Sequence, residues 1–395
     1  MKPPSIDRVR IRNYRSFAGC DVRLSRLAFL VGPNGSGKSN FLDALRFVAE
    51  SLETTPEHAL SERGGLDEVC HRSASAAEGF GLALELTTRE GRRGRYAFSI
   101  GGGSVVRREE CVVEAGAEGG TKSHFRIASG EVLGTSLGVA PPAASDRLYL
   151  VHASGFPEFR PIYDALSHLR VYNLNPQVIR DLQNPNGSLQ LARDGRNLAA
   201  VFERLSTEAP EVKVRIEEYL GKVVPGIRSV DVRSLGPKLT LEFRQAVSGS
   251  DRECSFLAAN MSDGTLRALA ILVALHPSAR GHVALIGIEE PELAVHPAAA
   301  GVLLDSLIEA SHRTQVLVTS HSPELLDDDK IEADIVLPVN FAEGKTWIGT
   351  LDEFGRSALR DRVATAGELL RLNQVTMDLS TFRGAEQDVR LFDED

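Results

Sequence analysis

Gly32-Pro33-Asn34-Gly35-Ser36-Gly37-Lys38-Ser39 is a complete match to the phosphate-binding pattern GxxxxGK[ST]. An apolar run ending at Val31 precedes it, and apolar residues recur at helical spacing from Ser39 to Ala49. This order suits the motif, because the glycines let backbone N–H groups surround phosphates and the helix N-terminus adds partial positive charge. The stretch therefore predicts nucleoside triphosphate binding. The alternative is a glycine-rich turn with a chance Lys-Ser pair.

Within this loop the pattern assigns roles to individual side chains. Lys38 is expected to reach the terminal phosphates, as a catalytic as well as a binding residue, and the Ser39 hydroxyl is expected to bind Mg²⁺. The other nucleotide-binding candidates are Gly32, Asn34, Gly35, Ser36, Gly37 and Asn40.

The composition is ordinary for a globular protein, with 395 residues, 42% hydrophobic and 25% charged. No uninterrupted apolar run of about 18 residues occurs, and the first residues lack the apolar stretch of a secretory signal. We therefore expect a cytoplasmic protein with no membrane partner. The net charge of −9 argues against a chain that coats nucleic acid through overall positive charge. The basic stretch from Arg89 to Arg95 is better explained as a solvated hairpin than as a DNA contact.

The cysteines lie far apart and none forms a CxxC pair, so we expect free thiols rather than a zinc site or a disulfide framework. They are Cys20, Cys70, Cys111 and Cys254. Cys70 and His71 are adjacent rather than spaced as ligands, which disfavours a metal site there.

Two later strands end in polar residues. The apolar run Val283 to Ile288 is followed by Glu289-Glu290, and Val316 to Thr319 is followed by Ser320-His321. Ligands of open α/β sheets bind at such strand ends, so we assign Glu289 to the Mg²⁺ shell and Glu290 to the general base. His321 can donate a hydrogen bond to the γ-phosphate or to the attacking water. The alternatives are an exposed acidic turn and a structural histidine.

Ser262-Asp263-Gly264 directly precedes an amphipathic segment predicted to be helical from Gly264 to Leu275. Ser262 suits a helix N-cap, and a Ser/Gly helix start also suits an anion. Both interpretations stay open on the sequence alone.

The order of these motifs resembles that of ABC-type ATPases. More narrowly, the chain is similar to bacterial ATPases related to the RecF, SMC and OLD families over residues 1–55 and 255–350, and more loosely through Asp194 to Ala199. The matching segments are an opening motif (Ile11 to Phe17), Walker A (Gly32 to Ser39), a degenerate signature (Met261 to Gly264), Walker B (Ile286 to Glu290), a D-loop region (Leu293 to Pro297) and a switch histidine segment (Thr319 to Pro323).

The resemblance implies an α/β fold, a P-loop NTPase with an ABC-ATPase-like head that has a mixed sheet, an antiparallel β-subdomain and a short helical insertion. The resemblance also implies a division of the chain into four segments. The N-terminal half of the head is 1–79, the β-hairpin and helical insertion 80–245, the C-terminal half of the head 246–352, and a C-terminal helix with an acidic tail 353–395. We expect a loop over 129–146 and a helix near 358–372. The spacer has no heptad run, which excludes an SMC-type coiled coil, and a TOPRIM nuclease module is not expected after the switch histidine.

The resemblance also implies a composite site. In a head-to-tail homodimer that encloses two ATP molecules, Ser262 and Gly264 of one copy would contact the γ-phosphate bound by the other. Arg12 and Asn13 would lie near the nucleotide of their own copy. The ABC signature normally reads Ser-Gly-Gly, so Asp263 either weakens this contact or points away.

One ABC element is missing, because no glutamine lies between Ser39 and Asp146 to contact Mg²⁺. The function that the resemblance implies is Mg²⁺-dependent ATP binding and hydrolysis, with ATP-driven dimerisation that regulates DNA or a partner effector, in DNA repair or phage defence. The alternative is a slow-turnover ATP-binding switch that scaffolds a separately encoded nuclease or toxin.

Overall fold

The computed structural model describes residues 3–72, 78–114, 122–185, 190–246, 253–276, 283–293, 297–378 and 389–392. Within them the chain forms sixteen strands and thirteen α-helices, and the strands make three sheets.

The strands are β1 (Ser5–Tyr14), β2 (Phe17–Arg23), β3 (Leu27–Val31), β4 (Phe80–Thr87), β5 (Arg93–Gly101), β6 (Val105–Val113), β7 (Ser123–Ala128), β8 (Glu131–Thr135), β9 (Arg170–Tyr172), β10 (Ile227–Leu235), β11 (Lys238–Ala246), β12 (Glu253–Leu257), β13 (Leu285–Glu289), β14 (Gln315–Ser320), β15 (Val336–Ala342) and β16 (Lys345–Ile348).

The helices are α1 (Lys38–Glu53), α2 (Pro56–Ser61), α3 (Leu66–Val69), α4 (Tyr149–Ala153), α5 (Arg160–Ser167), α6 (Pro176–Arg180), α7 (Leu198–Glu208), α8 (Pro210–Val223), α9 (Asp263–Ala274), α10 (Ala300–Ser311), α11 (Pro323–Leu326), α12 (Glu353–Arg360) and α13 (Ala366–Arg371).

The mixed sheet has the strand order β16-β15-β3-β14-β13-β9. Its strands are parallel from β15 to β9, and β16 is antiparallel to β15. All five residues of β3 are buried, and they alternate between two cores, with Leu30 in one and Phe29 and Val31 in the other. Because parallel strands end at one edge, the segments after β3, β14, β13 and β9 meet there.

An antiparallel sheet of seven strands, in the order β2-β1-β4-β5-β6-β7-β8, covers the first core. That core joins its apolar face to α1 and to one face of the mixed sheet, through aromatic residues such as Phe41, Phe47 and Phe98. Helix α1 begins at Lys38, within the glycine-loop motif, so burial of its apolar face fixes the position of that loop.

The second core joins the opposite face of the mixed sheet to α7, α8, α9 and α10 and to the three-stranded sheet β10-β11-β12. Among the described helices, none has the length and apolar character needed to span a membrane. The predicted α/β head with a mixed and an antiparallel sheet is confirmed.

Two local expectations were wrong. The segment 129–146, expected as a loop, contains β8, whose residues pair with β7 from Phe125 to Ala128. The helix expected near 358–372 is two helices, because Thr365 begins α13 with a capping box to Glu368. None of the four cysteines, all within the described residues, forms a disulfide bond.

Candidate nucleotide site

The glycine loop lies tightly against the β15-β16 hairpin. Gly35 and Gly37 have φ of 77° and 103°, a region that favours glycine. A Cβ atom on Gly37 would collide with the Thr346 side chain, and one on Gly32 would collide with the Val339 carbonyl oxygen. Packing beneath the loop therefore requires glycine at positions 32 and 37, and the positive φ favours it at position 35.

Thr346 braces the loop from below. Its Oγ1 donates to Ser36 O at 2.9 Å and lies 2.7 Å from Ser16 Oγ, which accepts a hydrogen bond from Asn40 Nδ2 at 2.7 Å. The Thr346 amide donates to Ser16 O at 2.8 Å. No sequence pattern pointed to Thr346, although Ser16 lies inside the opening motif.

Lys38 is 5% exposed, and its Nζ donates to Gly32 O at 2.7 Å and to Pro33 O at 2.9 Å. Burial lowers the pKa of Lys38, and the charges of Glu290 and Glu292 act in the opposite direction. The ammonium group is thus held by two carbonyl oxygens of the loop itself. Oxygen atoms of a phosphate can replace such acceptors.

The ends of β13, β14 and β3 lie side by side at the edge that carries this loop. Thr319 of β14 pairs with Glu289 of β13 on one side and with Leu30 of β3 on the other. Glu290, His321 and the glycine loop follow these paired residues directly. The structure therefore brings together the P-loop, the two carboxylates and the histidine that the sequence singled out.

Glu290 has the left-handed φ of 44°, a conformation that costs energy for a residue with a side chain. Its amide donates to Thr319 O at 3.0 Å and to Thr319 Oγ1 at 3.2 Å, which fix this turn. Its Oε1 lies 3.4 Å from His321 Nδ1. Strained residues of this kind cluster at functional sites, and the strain here places a carboxylate beside an imidazole.

Glu292 is a third carboxylate, to which the sequence assigned no role. Its Oε1 accepts hydrogen bonds from Ser320 Oγ at 2.7 Å and from the His321 amide at 3.3 Å. Burial raises the pKa of Glu292, and the hydrogen bond from Ser320 opposes that shift. Glu292 therefore orders the backbone that carries the histidine. Its position two residues after Glu290, in Glu289-Glu290-Pro291-Glu292, is the signal that could have identified it.

Glu289 is paired with a residue that sequence reasoning missed. Arg193 Nη2 lies 2.9 Å from Glu289 Oε1. The loop that carries Arg193 precedes α7 and includes the segment that matched only loosely in sequence.

A second arginine, Arg267 of α9, lies behind Glu290. Its Nη1 donates to Glu290 O at 3.2 Å and its Nη2 to Leu174 O at 2.7 Å, and burial lowers its pKa. Tyr172 of β9 pairs with Ile288, so the next residue, Asn173, lies at the same edge of the sheet. It is an amide side chain at this edge, whereas no glutamine lies between Ser39 and Asp146. The cavity at this place, about 640 Å³, is lined by Arg46, Asn173, Arg193, Asp194, Arg196 and Arg267 among others.

Ser262 is the N-cap of α9, with its Oγ accepting from the Thr265 amide at 3.2 Å. Asp263, which stands where ABC proteins have glycine, forms an ion pair with Arg180 at 2.6 Å. Arg180 also donates to Met261 O at 2.9 Å. The acid is therefore neutralised and tied to α6, while Ser262 is exposed and Gly264 lies in the first turn of the helix.

The remaining candidates lie on β1 or outside the described residues. Arg12 pairs with Gly19 and Gly81 across β1, and Asn13, at φ 56°, accepts a hydrogen bond from the His71 amide at 2.9 Å. Their roles near a nucleotide stay predictions. The D-loop residues 294–296 and the terminal residues 393–395 lie outside the described residues.

The donor set fits a nucleotide with Mg²⁺. Ser36 Oγ is buried and has no hydrogen-bond partner among the described residues, which leaves a hydroxyl for a phosphate oxygen. Ser39 is exposed beside it, and its hydroxyl and the Glu289 carboxylate are the hard oxygen ligands that Mg²⁺ takes alongside phosphates. In the described part of the chain no cluster of three or more His, Cys, Asp or Glu forms a separate metal site.

Comparison with known proteins gives two family-model matches, one before residue 78 and one after residue 139. A family model described as "AAA ATPase domain" matches residues 5–77, and one described as "AAA domain, putative AbiEii toxin, Type IV TA system" matches residues 140–327. The first contains the glycine loop, and the second contains Glu289, Glu290 and His321.

Two curated relatives match shorter stretches. The chain is 34% identical over 103 residues to the DNA replication and repair protein RecF of Magnetococcus marinus, which covers 25% of this chain and 26% of that protein. It is 39% identical over 69 residues to the chromosome condensation protein dpy-27 of Caenorhabditis elegans, which covers 16% of this chain and 5% of that protein. The match thus spans about a quarter of the RecF relative's length.

Solved structures show the same fold over most of the chain. An SmcHead bound to the C-winged helix domain of ScpA has a TM-score of 0.56 at 13% identity and covers 89% of this chain and 99% of its own. An Smc head domain with an extended coiled coil, from Pyrococcus furiosus, has a TM-score of 0.53 at 12% identity and covers 91% and 99%.

The fold and the site define a nucleotide-binding head of the P-loop class. The matched family models and the RecF relative support the resemblance to RecF/SMC-like P-loop ATPases found in the motifs, and the Smc head structures share the fold.

Proposed function

We propose that the chain binds ATP with Mg²⁺ at the edge where β3, β14 and β13 end, and hydrolyses it there. One observation supports this more than any other. The register of these three strands places the glycine loop, His321 and Glu290 side by side, with His321 Nδ1 3.4 Å from Glu290 Oε1.

Binding is assigned to the loop. The backbone N–H groups of the glycine loop and Lys38 Nζ would take the phosphates, with Lys38 exchanging the carbonyls of Gly32 and Pro33 for phosphate oxygens. Ser39 and Glu289 would hold Mg²⁺, which supplies neutralisation of charge on the phosphate oxygens.

Hydrolysis is assigned to the carboxylate and the histidine. Glu290 would accept a proton from water as the water oxygen bonds to the γ-phosphorus and the bond to the ADP oxygen breaks. His321 would donate to the γ-phosphate or orient the water, and Glu292 would keep the His321 segment in place. Glu290 and His321 already face each other, so the two groups need little rearrangement to act on one phosphate.

We further propose that ATP drives a head-to-tail homodimer, in which Ser262 and Gly264 of one copy close the site of the other. Ser262 is exposed, and Asp263 is neutralised by Arg180, so the helix start can approach an anion without a free acid beside it. The RecF relative is named for DNA replication and repair, and the SmcHead was solved with ScpA. These names support DNA or a partner protein as what the dimer regulates, in DNA repair or phage defence.

A second candidate is a switch that hydrolyses ATP rarely and scaffolds a separately encoded nuclease or toxin. The matched family description, which names a toxin and a toxin–antitoxin system, supports it. The pairing of Glu289 with Arg193 also suits a site that is at rest until it is engaged.

The test is ATP turnover and nucleotide affinity of the purified chain with Mg²⁺. Glu290→Gln should lower turnover by roughly 100-fold or more while ATP still binds, and Lys38→Ala should weaken ATP binding. Glu57→Gln, an exposed change on α2, is the matched control. No turnover in the wild type, with ATP-dependent dimerisation intact, would favour the switch. Unchanged ATP affinity in Lys38→Ala would contradict both candidates.

A further inference from the structure

The Arg193 guanidinium is paired with Glu289, the carboxylate that the proposed function assigns to Mg²⁺. Its Nη2 lies 2.9 Å from Glu289 Oε1, and the side chain of Glu289 is only 9% exposed, against 42% for Arg193. A cation from the protein therefore already neutralises the carboxylate that we assign to Mg²⁺.

The position of Arg193 is fixed by its backbone. The Asn173 amide donates to Arg193 O at 2.9 Å, and Asn173 directly follows β9, which pairs with the strand that carries Glu289. Asn197, which is 7% exposed, accepts from the Ala192 amide at 2.7 Å through its side-chain oxygen. The loop is thus anchored at both ends, and it sets the distance between the guanidinium and the carboxylate.

The neighbouring arginines, Arg196 and Arg267, have partners other than Glu289. Arg196, three residues along the same loop, is 71% exposed and pairs with Asp194 at 3.0 Å. Arg267 donates to the carbonyl oxygens of Glu290 and Leu174. Of the arginines that line this cavity, Arg193 is the one placed against Glu289.

A guanidinium on one oxygen of a carboxylate opposes a divalent cation on either oxygen. At the first oxygen the two compete directly, and at the second they are like charges a few ångströms apart. A guanidinium is also suited to phosphate, which it binds through a planar pair of N–H groups. Arrival of a nucleotide would therefore offer Arg193 a replacement partner.

We propose that Arg193 is a latch on Glu289, a positioning residue that makes metal binding conditional on nucleotide. Without nucleotide it neutralises the carboxylate and weakens its affinity for Mg²⁺. With nucleotide it turns to the phosphates and frees the carboxylate. This inference rests on the proposed function, because it assigns Glu289 to the metal.

The test is the binding of Mn²⁺, a spectroscopically visible substitute for Mg²⁺, to the full chain, measured by electron paramagnetic resonance with and without a non-hydrolysable ATP analogue. Arg193→Gln should lower the half-saturating Mn²⁺ concentration without nucleotide by roughly threefold to tenfold. With the analogue the shift should be smaller, because the latch is already released. The half-saturating Mn²⁺ concentration of Arg193→Lys, which keeps a positive charge, should lie between those of the wild type and Arg193→Gln. That of Arg196→Gln should match the wild type.

An unchanged or weaker Mn²⁺ affinity in Arg193→Gln without nucleotide would overturn the latch, provided that the circular dichroism spectrum and the melting temperature match the wild type. Equal shifts with and without the analogue would also overturn it, since they would show no coupling to nucleotide. Failure of the wild type to bind the analogue would instead contradict the proposed function. The nucleotide-free measurement thus separates the two failures.

Discussion

The interior beneath the antiparallel sheet and the nucleotide edge of the mixed sheet both contain carboxylates among cations, but they use them differently. In the interior, Glu109 accepts from Tyr96 OH and from the amides of Tyr149 and Leu150, and Asp43 accepts from several donors. At the edge, Glu290 faces His321 at 3.4 Å, and His321 Nδ1 has no hydrogen-bond partner in the described chain. Groups satisfied within the protein stabilise the fold, and groups left open are available to a ligand.

This comparison predicts that interior substitutions change stability and that edge substitutions change turnover. Four variants, Asp43→Asn, His321→Ala, Glu109→Gln and Thr346→Val, test this distinction. Each one is measured for both properties, so that a change in the wrong property counts against the distinction.

Asp43→Asn should give the largest loss of stability. Asp43 is bonded to Tyr14 OH and paired with Arg15, Arg46 and Arg63, and the side chain of Arg63 is 1% exposed. Burial raises the pKa of Asp43 but the arginines outweigh it, so the net pKa is lowered and the group is charged. Removing that charge leaves the buried Arg63 guanidinium with Glu50 as its remaining carboxylate partner, at a cost of about 3–5 kcal/mol in the free energy of unfolding.

Chemical denaturation checks this value, with the exposed Asp146→Asn as control. A loss below about 1 kcal/mol, the range of surface pairs, would show that the cluster does not act as a buried unit.

His321→Ala should lower ATP turnover by roughly 100-fold or more, the effect of removing a donor aimed at developing charge. The melting temperature should stay unchanged, because His321 is one-third exposed at the side chain. The exposed His312→Ala is the control for a lost imidazole. A loss of stability with unchanged turnover would show that His321 is a structural histidine and does not take part in hydrolysis.

The pH dependence of stability should reveal Glu109. Burial raises its pKa from 4.5 to about 7 in the folded state, so the folded protein keeps a proton that the unfolded chain releases between those values. Stability from this group is fully present below pH 4.5 and is lost as pH rises through about 7. The total loss should be about 3 kcal/mol.

The measurement is the free energy of unfolding from pH 4.5 to 8 for the wild type and Glu109→Gln. The free energy of unfolding of the wild type should fall relative to that of Glu109→Gln as pH rises, because only the wild type has this proton to lose. A difference that does not vary with pH would contradict the raised pKa.

Thr346→Val should give the smallest effect, about 1 kcal/mol of stability for the lost hydrogen bond to Ser36 O. It should also weaken ATP binding several-fold, because the bracing of the glycine loop is lost. Thr346 belongs to both regions, since it is buried like an interior group but contacts the glycine loop at the edge. A loss of stability with unchanged ATP affinity would show that Thr346 stabilises the fold but does not support nucleotide binding.

The sequence predicted those parts of the molecule that depend on local pattern. The apolar run of β3, the glycine loop and the stripe of α1 are contiguous, and the apolar strands ending at Glu289 and Ser320 each carry their own signal. Their parallel alignment followed from the alternation of strand and helix.

The missed contacts join residues far apart in the chain. Thr346 reaches Ser36 across 310 positions, and Arg193 reaches Glu289 across 96. Such pairs are set by how the sheets pack, and no local pattern encodes them. Strand β8 was missed for a related reason, because it depends on pairing with β7 more than on its own composition.

Under the proposed function, each ATP site is completed by Ser262 and Gly264 of a second copy of the chain. Mixing Lys38→Ala with Ser262→Arg, each inactive alone, tests it by ATP turnover across mixing ratios. The composite site predicts recovered turnover, because a mixed dimer has one site with neither substitution. No recovery at any ratio, although light scattering shows that mixed dimers form, would contradict it and place Ser262 and Lys38 in the same copy's site.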